Sequence, residues 1–419
     1  MLHQFIRTLV LLVAISHFLS SWPGIQAAEL GTATYGLKEI LQLVLERNPA
    51  VAGAEGVIEQ HRGRRIEAGA YPNPTILGQT GAAKTRDPST GRTLTEFVVT
   101  LHQPLEWPGK RAARKKAAEA GLAGATAGMA EARLNLTADA KIAFYALLLA
   151  QEGAEIAKQN LGAVEEVARV VKIRVRSGEA ARLESIKADV EVLKANQELT
   201  RARNAVRVGR VRLDTLTAGA LGRAFTIRGD FRSFQPGLEL ENSTTRAVEQ
   251  HPSLRRLQSL VERADLTVVE EQQSRVPDVT VFGGFAREIG REAVVAGVSV
   301  PTPLWYRRQG EITAALGRKR KNEAELFLAR NELVKAVYQH FQDAETAAEQ
   351  IEVFEKGLLT QAQEALRIAQ LSFRHGAASL LEVLDAQRVS RQVQLEYAQA
   401  RLDLSIALTR LERSVGGAL

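Results

Sequence analysis

The pattern of apolar and polar residues changes abruptly within residues 93–116, TLTEFVVTLHQPLEWPGKRAARKK. From Thr93 to Gln103 the two kinds of side chain alternate with a period of two, which predicts a strand with one apolar face and one polar face. Pro104 and Pro108 then interrupt strand pairing and favour a helix start. The segment from Lys110 to Val175 has no proline and predicts a helix about 100 Å long, too long for a single globular domain.

This junction between strand and helix occurs twice. Trp107 matches Trp305 at a spacing of 198 residues. The same spacing is kept over most of the chain, in the pairs Gly178 and Gly376, Glu184 and Glu382, and Gly219 and Gly417. The chain is therefore interpreted as a tandem duplication. We predict a first repeat at residues 29–219, a linker at 220–240 and a second repeat at 241–419.

Each repeat contains two predicted strands of membrane-crossing length. They are Thr75–Gly81 and Thr93–Gln103 in the first repeat, and Asp278–Phe285 and Glu292–Val300 in the second. Four strands cannot close a barrel, because the smallest barrels have eight. Two chains would give a barrel filled by side chains, whereas three would give twelve strands and a lumen. We favour three chains, and a mainly α fold with membrane β-strands.

The predicted helices form two long hairpins. Two helices are long, at Lys110–Val175 and Gln309–Arg374; four are shorter, at Leu37–Gly69, Arg182–Thr217, Glu241–Ser274 and Ser379–Ser414. Apolar residues of the last helix recur at steps of four and three, as in a coiled coil. Between the helices of each hairpin, Gly178 and Gly376 predict left-handed turns that reverse the chain at exposed tips.

The start of the chain is typical of a signal peptide, predicted at residues 1–28. It combines Arg7, an apolar run from Leu9 to Leu19 and a small-residue end at Ala27 and Ala28. The chain has no cysteine, so we expect an exported protein that carries neither a disulfide nor an N-terminal lipid on cysteine.

Aromatic and basic residues cluster where predicted strands meet predicted helices. The aromatic ones, which we place at a membrane interface, are Tyr71, Trp107, Trp305 and Tyr306. The basic ones include Arg62, Arg64, Arg65, Lys110, Arg111, Arg114, Lys115, Lys116, Arg307, Arg308 and residues 318–321. They contact anionic lipid headgroups or form a solvated helix face, and both interpretations stay open here. The formal net charge is +7, but the chain has no nucleic-acid-binding signature, so nucleic acid is not an expected partner.

Acidic residues follow the second tip. Glu382 and Asp385 are three residues apart on one helical face. Around a threefold axis each would form a ring of carboxylates that attracts cations and narrows a pore, whereas the alternative is two solvated helix charges. The sequence has no ligand-spaced metal motif and no catalytic motif, so we expect no resident metal, no cofactor and no enzyme activity.

Four segments resemble the TolC-like outer-membrane factors of bacterial tripartite exporters. They are ERNP at residues 46–49, YPNP at 71–74, QPLEWPGKR at 103–111 and HGAASLLEVLDAQ at 375–387. The resemblance implies a homotrimer in the outer membrane, with a twelve-stranded barrel joined to a periplasmic α-helical tunnel. It further implies a pore constriction at Glu382, Asp385 and Glu184, an inner-membrane pump of the RND type, and docking of a periplasmic adaptor at the tips, here Arg176, Ser177, Gly178, Arg374, His375 and Gly376.

Within that family, EWPGKR is most similar to the branch that exports heavy-metal cations of the cobalt, zinc and cadmium type. The chain departs from some members at Ala378, where they have an arginine, and at Phe373, where they have a tyrosine. A passive efflux duct is the leading hypothesis. The alternatives are the outer-membrane channel of a type I protein-secretion system and a soluble periplasmic coiled-coil scaffold.

Overall fold

A computed structural model describes residues 33–81, 96–234, 237–288 and 291–419. The strands are β1 (Ala33–Tyr35), β2 (Thr75–Gly81), β3 (Glu96–Leu105), β4 (Phe225–Ile227), β5 (Val279–Glu288) and β6 (Arg291–Ser299). The helices are α1 (Leu37–Arg47), α2 (Pro49–Gly69), α3 (Pro108–Arg176), α4 (Arg182–Leu216), α5 (Leu240–Gln250), α6 (Pro252–Gln273), α7 (Gln309–Val353), α8 (Leu359–Arg374) and α9 (Leu380–Val415). The predicted signal peptide at residues 1–28 and the segment 82–95 between β2 and β3, which includes the first three residues of the predicted strand Thr93–Gln103, lie outside these residues.

The four long strands form one antiparallel sheet in the order β2, β3, β5, β6. This arrangement confirms a mainly α fold with four long strands in the chain. Pro104 was expected to end strand pairing, but it lies within β3 opposite Thr280. β2 begins only at Thr75, which pairs with His102, so no residue of β2 faces Pro104 or requires a backbone N–H from it.

The two faces of the sheet differ in chemistry. The register places large apolar side chains on one face, and they are exposed: Ile76, Val99, Leu101, Val294 and Val298. The other face carries Thr100 and His102, whose side chains are 2.8 Å apart, and the His102 ring stacks on Phe282 with centroids 5.1 Å apart. The alternation predicted for β3 is thus present across the sheet.

Two predicted helices are each broken into two by proline. Leu37–Gly69 was predicted as one helix, but Asn48 has ψ 128 and separates α1 from α2; His251, with ψ 128, separates α5 from α6 in the same way. Proline forces the preceding residue out of the helical region, and it then begins the next helix because its missing N–H is not needed there. The break occurs at the equivalent place in both repeats.

The second long helix is also interrupted, whereas a continuous helix was predicted over Gln309–Arg374. A π-helical turn at Phe354–Leu358 separates α7 from α8, and Gly357 within it has non-helical φ and ψ. The hydroxyl of Tyr397 on α9 donates to Glu355 at 2.8 Å, which holds this turn against α9. None of the helices in the described part of the chain is both long and apolar enough to cross a membrane.

Helix α3 packs against other helices along most of its length. It packs against α2 and α6 in the half next to the sheet, and against α4 and α9 in the half next to the tips. Around its middle, Phe144 and Leu147 are fully buried with Leu213 and Phe225. Phe225 belongs to β4, which pairs in parallel with β1, and this two-stranded sheet was not predicted because each strand has only three residues.

Candidate functional site

The two hairpin tips reverse the chain through left-handed glycines, as predicted. Gly178 has φ +78° and Gly376 has φ +76°. The first turn is closed by the amide of Glu179, which donates to the Arg174 carbonyl at 2.8 Å, and an equivalent bond closes the second turn. All six predicted docking residues are exposed: Arg176, Ser177, Gly178, Arg374, His375 and Gly376.

The two tips pack against each other. Val171 of α3, Ala188 of α4, Phe373 of α8 and Val383 of α9 share one buried cluster. The guanidinium of Arg174 lies 5.3 Å from the centre of the Phe373 ring. Phe373 has no hydroxyl and so cannot make the hydrogen bond that a tyrosine could make at this position. It connects the two hairpins through apolar packing and a cation–π contact instead.

The predicted constriction residues lie near the starts of α4 and α9. Glu382 is the third residue of α9, and its carboxylate accepts from the amide of Ser379 at 2.6 Å, while the Ser379 hydroxyl accepts from the Glu382 amide at 3.3 Å. This reciprocal pair is a capping box. Glu184 has the equivalent place in α4. The first repeat has Ala181 where the second has Ser379, so only Glu382 has this capping partner.

Asp385 lies one turn further along α9, where its carboxylate pairs with Arg388. It lines a cleft shared with Glu191 and Lys194 of α4. A single chain thus keeps Glu382 and Asp385 adjacent but engages both in local contacts. These contacts were not foreseen, and they change which substitutions test the constriction.

The polar contacts between the hairpins were also missed. The side-chain amide of Gln387 on α9 donates to Asn160 on α3 at 3.2 Å, and Arg391 pairs with Glu198 on α4. Asn160 is buried, which is unusual for this residue type without a partner. Gln387 belongs to the HGAASLLEVLDAQ segment, but the sequence offers no signal that relates it to Asn160.

At the opposite end, the predicted interface aromatics lie where strands and helices meet. Trp107 precedes α3, and its indole N–H donates to Gln273 at 3.0 Å. Arg111 stacks on Tyr71, with 3.8 Å between the guanidinium carbon and the ring centre. The Tyr306 hydroxyl donates to Glu311 at 2.6 Å, while Trp305 is 92% exposed.

Several basic residues at this junction have partners within the chain, which neither sequence-based interpretation anticipated. Glu106 is buried, with 4% of its side chain exposed, and Arg114 donates to it through both terminal nitrogens. Lys110 pairs with Asp278 at 2.9 Å, and Arg308 pairs with Glu271. The sequence analysis assigned these basic side chains to lipid contact or to solvent. In the structure, their ion pairs connect the start of each long helix to the neighbouring segments.

Within the described residues, no group of three or more histidine, aspartate and glutamate side chains is arranged to hold a metal ion. The buried His251 contacts backbone groups instead. His251 caps α6, accepting from the Ser253 amide at 3.2 Å, and it contacts the Arg413 carbonyl at 3.0 Å. Burial lowers the pKa of His251 and of His340.

The outer membrane efflux protein family matches residues 40–219 and 244–417 of the chain. The chain is 25% identical to the cobalt-zinc-cadmium resistance protein CzcC of Cupriavidus metallidurans, over 91% of this chain and 90% of that protein. It is 22% identical to the pyoverdine export outer membrane protein OpmQ of Pseudomonas aeruginosa, over 91% of this chain and 83% of that protein.

Among solved structures, the fold is similar to the outer membrane protein VceC of Vibrio cholerae. The TM-score is 0.78 at 19% sequence identity, over 91% of this chain and 96% of the other. The family match extends through both halves of the chain, across the tips, the junction and the sheet strands. The chain belongs to the outer membrane efflux protein family.

Proposed function

We propose that this outer-membrane efflux channel works as a homotrimeric duct that receives heavy-metal cations from a periplasmic adaptor and an inner-membrane pump. The observation that carries the trimer is the open sheet of one chain. In the described residues β2 and β6 each pair with a strand on one side only. Unpaired backbone groups are too costly in lipid to be left open, so the edges require partners.

Joining β6 of one copy to β2 of the next satisfies both edges. Three copies give twelve strands, which is enough for a lumen. The apolar face with Val99 and Val294 then lies toward lipid, and the face with Thr100 and His102 lines the interior. The same apolar face disfavours the soluble-scaffold alternative, because it would otherwise be exposed to water.

Similarity to a cobalt-zinc-cadmium resistance protein supports the choice of cargo. Deleting the gene should make cells accumulate cadmium, zinc or cobalt and tolerate less of the metal, and restoring the full-length protein should reverse both effects. Cell-associated metal measured after a metal pulse is the test. Unchanged metal content, together with loss of an exported organic molecule or of a secreted protein, would instead favour organic export or type I secretion.

The tips are the proposed adaptor-docking surface. Gly178→Val and Gly376→Val should each reduce export, because a β-branched residue is strained in the left-handed region by about 1–2 kcal/mol. Membrane insertion should be unaffected, since the sheet is far away. Gly153→Val on α3, where an added Cβ meets no atom within 4 Å, is the matched control. Equal export by tip and control variants would contradict docking at the tips.

The constriction is proposed at Glu382, Asp385 and Glu184. Glu382→Gln combined with Asp385→Asn should remove cation preference and block by multivalent cations in a planar bilayer, because glutamine still serves the capping box while the charge is lost. Glu396→Gln is the control, since Glu396 contacts Gln392 away from the tip. Glu191 is unsuitable because it lines the same cleft as Asp385. Unaltered ion preference would return Glu382 and Asp385 to a purely local role.

A further inference from the structure

The half of the molecule next to the sheet contains an open cavity of about 550 Å³ between α2, α3, α6 and α7. It lies close to the end of the sheet, because its α3 lining begins at Arg114, six residues into the helix and hence about 10 Å along it. Three arginines line it from three different helices: Arg64, Arg263 and Arg318. In the described part of the chain, no carboxylate or carbonyl oxygen accepts a hydrogen bond from the guanidinium groups of these three arginines. The junction arginines Arg114 and Arg308, in contrast, are each paired with a glutamate.

The remaining titratable groups of the cavity are His61, Glu67, Glu270 and Arg114. His61 and Arg263 lie side by side against α3: a Cβ on Gly121 would be 3.1 Å from His61 Nδ1 and 3.6 Å from Arg263 Cδ. Burial, reinforced by the charges of Arg64 and Arg263, lowers the pKa of His61. The imidazole is therefore neutral near pH 7, with one ring N–H available to donate.

The acidic residues offset only part of this positive charge. Burial raises the pKa of Glu270, which favours its neutral form, and the charge of Arg114 opposes that effect. Arg114 is itself paired with Glu106. Even with Glu67 and Glu270 both ionised, two negative charges face the three positive charges of Arg64, Arg263 and Arg318, so the cavity repels a metal cation and attracts an anion.

We propose that this cavity is a binding site for a phosphate group, held by Arg64, Arg263 and Arg318 with His61 as a further donor. Guanidinium forks match the geometry of phosphate oxygens, and charge-assisted bonds of this kind are the strong ones. Two sources offer the same chemistry. One is the headgroup of an anionic lipid, since the cavity adjoins the membrane sheet; the other is free phosphate.

The test uses the full-length protein purified as an oligomer in neutral detergent. Titration calorimetry with inorganic phosphate probes the soluble source. Native mass measurement after extraction from nanodiscs of phosphatidylglycerol, compared with phosphatidylcholine, probes the lipid source. Arg64→Gln combined with Arg263→Gln should weaken binding by at least about tenfold, because two charge-assisted contacts are lost. Arg65→Gln, an exposed neighbour outside the cavity, should bind as the wild type does.

Phosphate binding that only the double variant weakens supports a soluble ligand, and selective loss of retained phosphatidylglycerol supports a lipid ligand. The proposal is overturned if neither probe distinguishes the wild type from the double variant, or if Arg65→Gln weakens binding equally. A second measurement needs no variant. A bound phosphate should raise the pKa of His61 in NMR titrations of the wild type, and an unchanged pKa with saturating probe would also overturn the proposal.

Discussion

Replacing Gly284 with alanine should nearly abolish the folded channel in the outer membrane. Gly284 lies opposite Thr100, and a Cβ there would overlap the carbonyl oxygen of Val99 and lie 2.6 Å from the Cα of Thr100. Both atoms belong to the backbone, so no side-chain rotation relieves the clash. Overpacking costs about 1–3 kcal/mol or more, and the upper part of that range applies to a clash with backbone atoms, which predicts about a hundredfold fall in assembled protein. Heat-stable oligomer quantified in outer-membrane fractions is the measurement.

The adjacent glycine provides a matched control. A Cβ on Gly283 would meet only the Val295 carbonyl oxygen, at 3.8 Å, which is ordinary contact distance. Gly283→Ala should therefore accumulate as the wild type does. Equal amounts of oligomer from Gly284→Ala and Gly283→Ala would mean that β3 and β5 are not paired in the register described.

Glu106→Gln should destabilise the junction between sheet and helices by about 2–3 kcal/mol, because breaking a buried ion pair leaves Arg114 without its charged partner. This figure lies below the about 3–5 kcal/mol typical of breaking a fully buried ion pair, because 29% of the Arg114 side chain reaches solvent. The oligomer in detergent should lose its folded structure at a lower temperature or denaturant concentration than the wild type.

A surface pair in the second hairpin is the comparison for that variant. Glu364 pairs with Arg367 on α8 with both side chains well exposed, so Glu364→Gln should leave the unfolding midpoint unchanged. A wild-type midpoint for Glu106→Gln would contradict the structural role given to Glu106 and return Lys110 and Arg114 to the choice between lipid contact and solvated face.

Local patterns predicted much of the fold. The alternation around Val99 and Leu101 predicted the strand and its two faces, and Gly178 and Gly376 predicted the reversals, because each depends on residues adjacent in sequence. Pro49 and Pro252 are local indications of helix breaks. Because the residues around each proline favour a helix, a single continuous helix was predicted in both places. The π-helical turn at Phe354–Leu358 had no comparable signal beyond Gly357.

The candidate sites were less accessible to sequence reasoning because their contacts join distant residues. Glu106 lies eight positions from Arg114, but Lys110 is 168 positions from Asp278 and Asn160 is 227 from Gln387. Only folding reveals that such charges and amides meet. The capping box of Ser379 and Glu382 is different, because its spacing was legible in the sequence. It was missed because Glu382 was considered only as a pore residue.

The most direct test of the trimeric duct is to cross-link its proposed strand edges. The chain has no cysteine, so Gln79→Cys in β2 and Ala293→Cys in β6 introduce a single pair on the face that carries Thr100. Bismaleimides of several lengths would then be applied to intact outer membranes. The structure and the proposed closure predict covalent dimers and trimers, with no larger species, and neither single-cysteine variant should give trimers. Cross-linking that stops at dimers, or continues beyond three chains, would contradict a channel built from three copies.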